Sequence, residues 1–432
     1  MTDGPFLPHS GQTPRTGGDW GGNVRYAVET AADLRPVPDE AGLRGTNQSG
    51  MRAHNERLVL SLVRRHEALA KSDIARMTGL SAQTVSVIMR QLEQDGLLTR
   101  GEPIRGRVGQ PSVPMSLAAG GAFFFGLKVG RRSADLILID FLGRIRAARR
   151  KTYRYPTPDA VVAFVAEAAP ALVSPLGADE RARVTGMGVA IPFQLWNWVT
   201  IIGAPQQAMD AWRHRDIGAD LSALLGLPVH VQNDATSACG AELIFGTGDR
   251  PKDFLHFYLG TFIGGGLVMN GQLFLGRTGN AAGVGPMLVP GPDGRLLRLL
   301  EVASLNVLAE SMETAGESSD HIWEQHQHWQ VSRPLLDRWL ASAARGLAHA
   351  TLNAAALVEI EAVILDGWMP VSVRAELVQA TEAAFKALDL AGVDPPAIRE
   401  GTVGADARAL GAAAIPLSHR YRIDQNAPVR QG

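Results

Sequence analysis

The sequence predicts an α/β protein in which a small winged helix-turn-helix block precedes a body of two lobes. Two observations carry that prediction. From about residue 120 to about 417, apolar strands alternate with alanine-rich helices, the pattern of layered α/β folds. Ahead of them, "AKSDIARMTGLSAQTVSVIMRQLEQDGLLTR" reads as a helix, a glycine turn and a capped helix, followed by a stretch dense in Arg, Gly and Pro.

Composition sets the outer limits. A chain of 432 residues is long enough for two or three domains and a sizeable core. Hydrophobic residues are 46% and charged residues 20%, ordinary for a soluble globular protein. The formal net charge of −1 gives no global basic signal, so any nucleic-acid surface must be local. The single cysteine, Cys239, excludes an internal disulfide framework and any multi-thiolate metal site. The chain has no uninterrupted apolar run of ~18 residues and no signal-peptide start. A cytoplasmic protein with no membrane partner is expected.

Residues 1–48 are rich in Gly, Pro, Thr and Asp without an apolar period, and read as a disordered arm. Residues 49–118 form the expected DNA-binding domain. Ser72 is read as the N-cap of a short helix through Ile74, Ala75 and Met77. Gly79 supplies a left-handed turn residue, and Ser81 caps the second helix. That helix buries Val85, Ile88, Met89 and Leu92, at spacings of three and four. Gln83, Val87 and Arg90 lie opposite, flanked by Thr84 and Ser86. Short helix, glycine turn and capped helix make the helix-turn-helix plan, whose second helix enters the DNA major groove, where Gln bonds adenine and Arg bonds guanine or phosphate; the alternative is an ordinary helical pair with a solvated polar face. "GLLTR" and "PSVPMSL" then pair as wing strands, with Arg105 and Arg107 at the tip, placed for the minor groove or the backbone.

Residues 119–417 form the body. "AFFFGLKVGRRSADLILIDFLG" is a strand, a turn at Gly130 and a second strand. "VHVQNDATSACGAELIFGTG" is a strand, an Asn-Asp turn and a helix. Asp234 there is either a general base toward a hydroxyl or only the helix cap, and local sequence favours the cap. Gly264, Gly265 and Gly266 read as a turn able to present backbone amides to an anion, or as a tight bend. "LLDRWLASAARGLAHATLNAAALV" is a helix for core packing or an oligomer interface. Residues 418–432 read as a loose tail.

Taken in order, these segments resemble the ROK family, which contains sugar kinases and sugar-responsive repressors. The resemblance spans about residues 50 to 417. It rests on the helix-turn-helix, the Gly126 hairpin, "QNDATSACGAELIFG", "GTFIGGGLVMNGQLFLGRTGNAAGVGPM", "LLEVASLNVL" and "GADARALGAAA". It implies a two-lobed actin-like, ribonuclease-H-type ATPase fold, and an added winged domain is the plan of the repressor branch. Asn233, Asp234 and Glu301 match the family's sugar-hydroxyl contacts, with Asp234 at the kinase general base.

The departures are specific. The family's phosphate turn reads D-x-G-G-T, and here Lys128 replaces the acid while Arg131 and Arg132 replace the second Gly and the Thr. Phe193 follows "IP" where a Gly is usual. Gly283 and Pro286 replace a sugar-binding Glu and a zinc-binding His, and "MLVPGPDGRLLRLLE" has neither Cys nor His, so zinc is not expected there. Asp366 stands in the adenine-side glycine loop. The resulting expectation is a regulator, most simply a repressor. It binds double-stranded operator DNA as a homodimer or homotetramer and answers to a sugar effector, with no catalytic activity, cofactor or metal. The alternatives are a sugar kinase with an added DNA-binding domain, or a regulator controlled by a protein partner.

Overall fold

The computed structural model describes residues 48–103, 112–198, 203–249 and 251–422. The N-terminal block comprises α1 (Gln48–His66), β1 (Ala68–Leu69), α2 (Lys71–Thr78), α3 (Ala82–Gln94), β2 (Leu98–Arg100) and β3 (Met115–Leu117). Its antiparallel sheet has the order β1-β3-β2. Gly79 ends α2 at φ 71°, and the Ser81 hydroxyl accepts the Thr84 N–H at 3.1 Å. Ser72 is not a cap. The helix starts at Lys71 with Ala70 in the cap position, so Ser72 lies inside the first turn. Arg105, Arg107 and the expected N-terminal arm lie outside the described residues.

The body contains two five-stranded sheets. The first uses β4 (Phe123–Val129), β5 (Ser133–Asp140), β6 (Ile145–Thr152), β7 (Val184–Ile191) and β8 (Val229–Asn233). The order is β6-β5-β4-β7-β8, antiparallel across the first three and parallel across the rest. β4 is buried along its whole length, as a central strand covered on both faces must be. β6, "IRAARRKT", is exposed and basic, which guards the sheet edge against pairing with another chain. Helices α4 (Pro158–Val173) and α5 (Ile217–Leu225) belong to this lobe; Thr157 caps α4 and Pro158 begins it.

Helix α6 (Asp234–Phe245) follows β8 directly. The second sheet uses β9 (Phe254–Leu259), β10 (Ile263–Met269) and β11 (Gln272–Phe274), and a separate hairpin pairs β12 (Leu288–Pro290) with β13 (Leu296–Arg298). Helices α7 (Leu305–Thr314) and α8 (Arg333–Ala355), strand β14 (Ala362–Gly367), helix α9 (Val371–Lys386), strand β15 (Ala397–Glu400) and helix α10 (Ala407–Tyr421) complete the chain. The sheet order, β11-β10-β9-β14-β15, repeats the first: two antiparallel hairpins, then two parallel strands. Helix α8 buries Leu335, Trp339, Leu340, Ala343, Leu347 and Ala350, so its apolar face is committed to the core.

Gly264, Gly265 and Gly266 form neither a turn nor a nest. They lie within β10, where a Cβ on Gly264 would come 2.5 Å from Ala235 and one on Gly265 would come 2.7 Å from the Ala282 carbonyl. The bareness of Gly264 and of Gly266, which faces Cys239, lets α6 lie close on the sheet, while Gly265 faces the other side. Residues 418–421, expected in a loose tail, are helical, and residues 423–432 of that tail lie outside the described residues. α10 runs to Tyr421, whose ring packs edge-on to Phe141 at 4.8 Å.

α10 joins the parts. Ala409, Ala413 and Leu417 share one apolar cluster with Val59, Val63, Ile74 and Met89 of the N-terminal block and with Phe124 and Ile139 of the first sheet. Its approach is so close that a Cβ on Gly126 would strike the Ala409 carbonyl, one on Gly188 the Ala412 carbonyl, and one on α10's own Gly411 the Ser237 carbonyl. Backbone cannot rotate away as a side chain can. Gly188→Ala and Gly411→Ala should therefore each cost about 3 kcal/mol, the upper end for an overpacked core. Gly50→Ala, with nothing within 4 Å of the new methyl in α1, should be neutral or slightly stabilising. Urea unfolding of the three variants measures this; a neutral Gly188→Ala would refute the close approach.

Candidate functional site

Two surfaces carry the residues singled out in the sequence. The first is α3. Val85, Ile88, Met89 and Leu92 are buried and fix the helix on its block. Gln83, Val87 and Arg90 are exposed on the other face, Val87 at 52%, while Thr84 and Ser86 are half-buried beside them. The Thr84 hydroxyl is 2.8 Å from that of Ser81, which ties it to the cap. An exposed valine between polar neighbours suits contact with a thymine methyl.

The second surface is the cleft between the lobes. Lys128 turns into the β4–β5 hairpin. Its ammonium donates to the Ser133 carbonyl at 3.3 Å, the Ser133 hydroxyl at 2.9 Å and the Asp135 carboxylate at 2.9 Å. A Cβ on Gly130 would lie 2.6 Å from that nitrogen, so the turn is filled by the lysine. The Tyr153 hydroxyl, just past the end of β6, donates to the Gly130 carbonyl at 2.7 Å. Burial pushes the Lys128 ammonium down to about 8, with Asp135 opposing the shift.

Three arginines of the first lobe reach aromatic rings of the second. Arg131 lies 4.4 Å from the Phe262 ring centre, Arg132 5.3 Å from Trp323 and Arg150 4.8 Å from Trp368. Burial pushes the Arg131 guanidinium down to about 10, with Asp234 pulling the other way. Two cavities open beside these contacts. One, of about 350 Å³, is lined by Lys128, Asp135, Arg150, His326, Trp368 and Arg408. The other, of about 520 Å³, is lined by Arg131, Arg132, Arg150, Arg154, Asn306 and Trp323 among others, a strongly basic wall.

Each of the three expected ligand contacts has partners within the chain. Asn233 is the true cap of α6, its side-chain oxygen accepting the N–H groups of Ala235 and Thr236 at 3.0 Å each. Asp234, read as the cap, is instead the first residue of α6: one oxygen takes the Ala235 N–H, and the other faces Arg408 of α10 at 3.3 Å. Glu301 is the exposed residue of a short, mostly buried helix, Leu299–Ala303, and its carboxylate accepts the Arg298 N–H at 2.8 Å and the Arg298 guanidinium at 3.0 Å.

One constellation escaped the sequence reading. Glu242 of α6, His256 of β9 and Asp366 of β14 are buried, with ligand atoms all within 4.8 Å of one another. They are far apart in sequence and fit no ligand spacing. The available signals were a histidine inside the apolar strand "FLHFYL" and an acid ending "AVILDG".

Comparison with known proteins adds the family. A family model described as the ROK family matches residues 124–418, and one described as the MarR family matches residues 50–107. An uncharacterized protein of Sinorhizobium fredii, y4fQ, is 25% identical over 381 residues, 85% of this chain and 91% of its own length. A glucokinase of Streptomyces coelicolor is 32% identical over 176 residues, 40% of this chain and 51% of its own, so the match spans about half of that relative. A xylose repressor of Bacillus subtilis is 20% identical over 243 residues, 56% of this chain and 62% of its own. Among solved structures, a ROK family transcriptional regulator described as a homologue of the E. coli MLC protein superposes with a TM-score of 0.62 at 18% identity. That superposition covers 86% of this chain and 97% of the other, and it bears on the fold alone. No helix among the described residues is long and apolar enough to cross a membrane.

These findings correct one expectation. A chain without catalytic activity was expected from Lys128, Arg131 and Arg132. A changed turn speaks only for that turn. The chain shares 32% identity with a glucokinase over a segment of 176 residues, and the second lobe gathers three metal-capable side chains, so a clean loss of activity does not follow.

Lys128 yields a pH test. It holds its proton less tightly in the fold, at about 8, than in the unfolded chain, near 10.5. Below about pH 8 both states are charged and the burial cost is fully present. Between about pH 8 and about pH 10.5 the unfolded chain binds more protons, so stability rises with pH. Relative to Lys128→Met, the wild type should gain stability between pH 7.5 and pH 10 in urea unfolding. A difference that stays flat would show that Lys128 titrates as in a free chain.

Proposed function

The chain belongs to the ROK family, and from that premise we propose that it is a DNA-binding transcriptional regulator whose two-lobed body reads a carbohydrate ligand. The observation that carries this reading is α3: a Ser81-capped helix pinned by a buried stripe, with Gln83, Val87 and Arg90 turned outward. Thr84 and Ser86 flank the contacting face, and Arg105 and Arg107 act from the wing on the minor groove or phosphates. The regulator acts as a dimer or a dimer of dimers, because paired half-sites sit about 34 Å apart. Asn233, Asp234 and Glu301 are the proposed contacts to ligand hydroxyls. The name of the Bacillus subtilis relative, xylose repressor, supports both halves of the reading.

A second reading, phosphate transfer to a sugar, is favoured by Asp234, which sits at the start of α6 with one oxygen toward Arg408. In that role it would take a proton from the sugar hydroxyl as the nucleophilic oxygen attacks the phosphate.

The experiment is DNA selection from a random duplex pool, followed by binding of the selected duplex across a salt series. Gln83→Ala should weaken binding by about 1–3 kcal/mol and relax preference at one base pair. Arg107→Ala should weaken binding to all sequences and reduce the salt slope by about one. Asp234→Asn should blunt the response to an active sugar while leaving sugar-free affinity intact. Wild-type affinity in both DNA-face variants refutes the DNA reading, and sugar-dependent ADP release abolished by Asp234→Asn establishes the second.

A further inference from the structure

We propose that Glu242, His256 and Asp366 form the binding site of one zinc-class divalent cation, buried in the second lobe behind the cleft. The argument begins with His256. It lies in the middle of β9, between Gly266 of β10 and Ile364 of β14, and is 0% exposed. Neither ring nitrogen has a hydrogen-bond partner. A buried imidazole always has a donor or a lone pair to satisfy, and here both nitrogens are unmet.

Both carboxylates near it are held in place from behind. Glu242 accepts the Thr402 N–H at 3.0 Å, the Thr402 hydroxyl at 2.7 Å and the Val403 N–H at 3.2 Å. Asp366 accepts the Gly367 N–H at 2.8 Å and the Arg374 guanidinium at 3.0 Å on one oxygen, and the Gly404 N–H at 2.7 Å on the other. Outer hydrogen bonds of this kind are what orient ligands around a metal. Charge points the same way. Asp366 has Arg374 as counter-ion, whereas the groups that hold Glu242 are neutral donors. A cation between them balances the remaining charge.

The donor set selects the ion. One imidazole and two carboxylates suit zinc and its neighbours. Magnesium takes oxygen ligands and keeps several waters, which an imidazole between two buried carboxylates does not suit. Bonds of about 2.0–2.2 Å require donors about 3.3 Å apart at tetrahedral corners, so binding draws the three groups inward from separations of up to 4.8 Å. A second carboxylate oxygen completes four-coordination.

The ion would join α6, β9 and β14 to the loop before α10. Glu242 is eight residues along α6 from Asp234, about 12 Å by helical rise. Arg408, which faces Asp234, follows four residues after Gly404. The cation therefore acts on the cleft as a positioning element, through the loop at Thr402–Gly404, and the inference stands apart from the DNA reading.

The test uses the full chain, stripped with a chelator and dialysed against zinc. One zinc per chain by elemental analysis and a rise of several degrees in Tm are expected. X-ray absorption at the zinc edge should report one imidazole and carboxylate oxygens, with no sulfur. His256→Gln and Asp366→Asn should each lower zinc affinity at least about 100-fold, since they remove a ligand itself where second-sphere losses already cost about 10–100-fold. The absence of stoichiometric zinc from the wild type overturns the proposal. So does undiminished binding by His256→Gln, or a spectrum with two or more imidazoles, which would place zinc on other histidines. The spectrum comes from the wild type, so it decides the matter even where a variant fails to fold.

Discussion

The close approach of α10 to its neighbours is the constraint on which the rest of the structure depends. The helix lies against β4 and β7 on one side and against α6 on another, at distances that only Gly126, Gly188 and Gly411 permit. Its apolar face is alanine-rich, with Ala409, Ala412, Ala413 and Ala414 all buried. Small side chains on both surfaces trade individual contact area for density of contact, and packed backbone of this kind has little freedom to shift. Arg408 occupies the first turn of the same helix, so the position of the guanidinium that faces Asp234 at 3.3 Å follows from that packing.

The same helix makes the N-terminal block part of the body. Val59, Val63, Ile74 and Met89 share a cluster with Phe124, Ile139 and Leu417. The Arg64 guanidinium donates to the Phe141 carbonyl at 2.7 Å and lies 5.0 Å from that ring. Tyr421 closes the junction against Phe124 and Phe141. α3 is thus presented from a continuous core, and a change in how the lobes sit has a packed path to it. A flexible tether would offer none.

In the cleft, cations have been taken in and given partners. Lys128 is buried, yet it has three acceptors within 3.3 Å, among them the Asp135 carboxylate. Asp135 is shared with Arg150 at 3.4 Å. Arg131 and Arg132 face aromatic rings across the cleft, where the negative face of the ring offsets lost hydration. Both contacts join the β4–β5 turn of the first lobe to the second, Arg131 to the loop after β9 and Arg132 to the short helix Asp320–Glu324.

The sequence by itself determined the local features. The Ser81 cap, the Gly79 turn, the stripe of Val85, Ile88, Met89 and Leu92, and the hairpin at Gly130 all follow from cap chemistry and from helix and strand periods within a few residues. Local signals failed at two helix starts: Ala70, which has no capping side chain, holds the cap position of α2 where Ser72 was expected, and Asn233 rather than its polar neighbour Asp234 caps α6. The glycines of β10 look the same in sequence whether they turn the chain or admit a helix, and only packing chose. The tertiary structure alone decided that Asp234 meets Arg408 and that Glu242, His256 and Asp366 converge. It alone decided, too, that the two sheets share one strand order. Asp234–Arg408, the buried cluster and the strand order join segments remote in sequence. The charge and polarity of such residues are fixed by composition, but their partners are set by which strands lie side by side, and that no window of sequence contains.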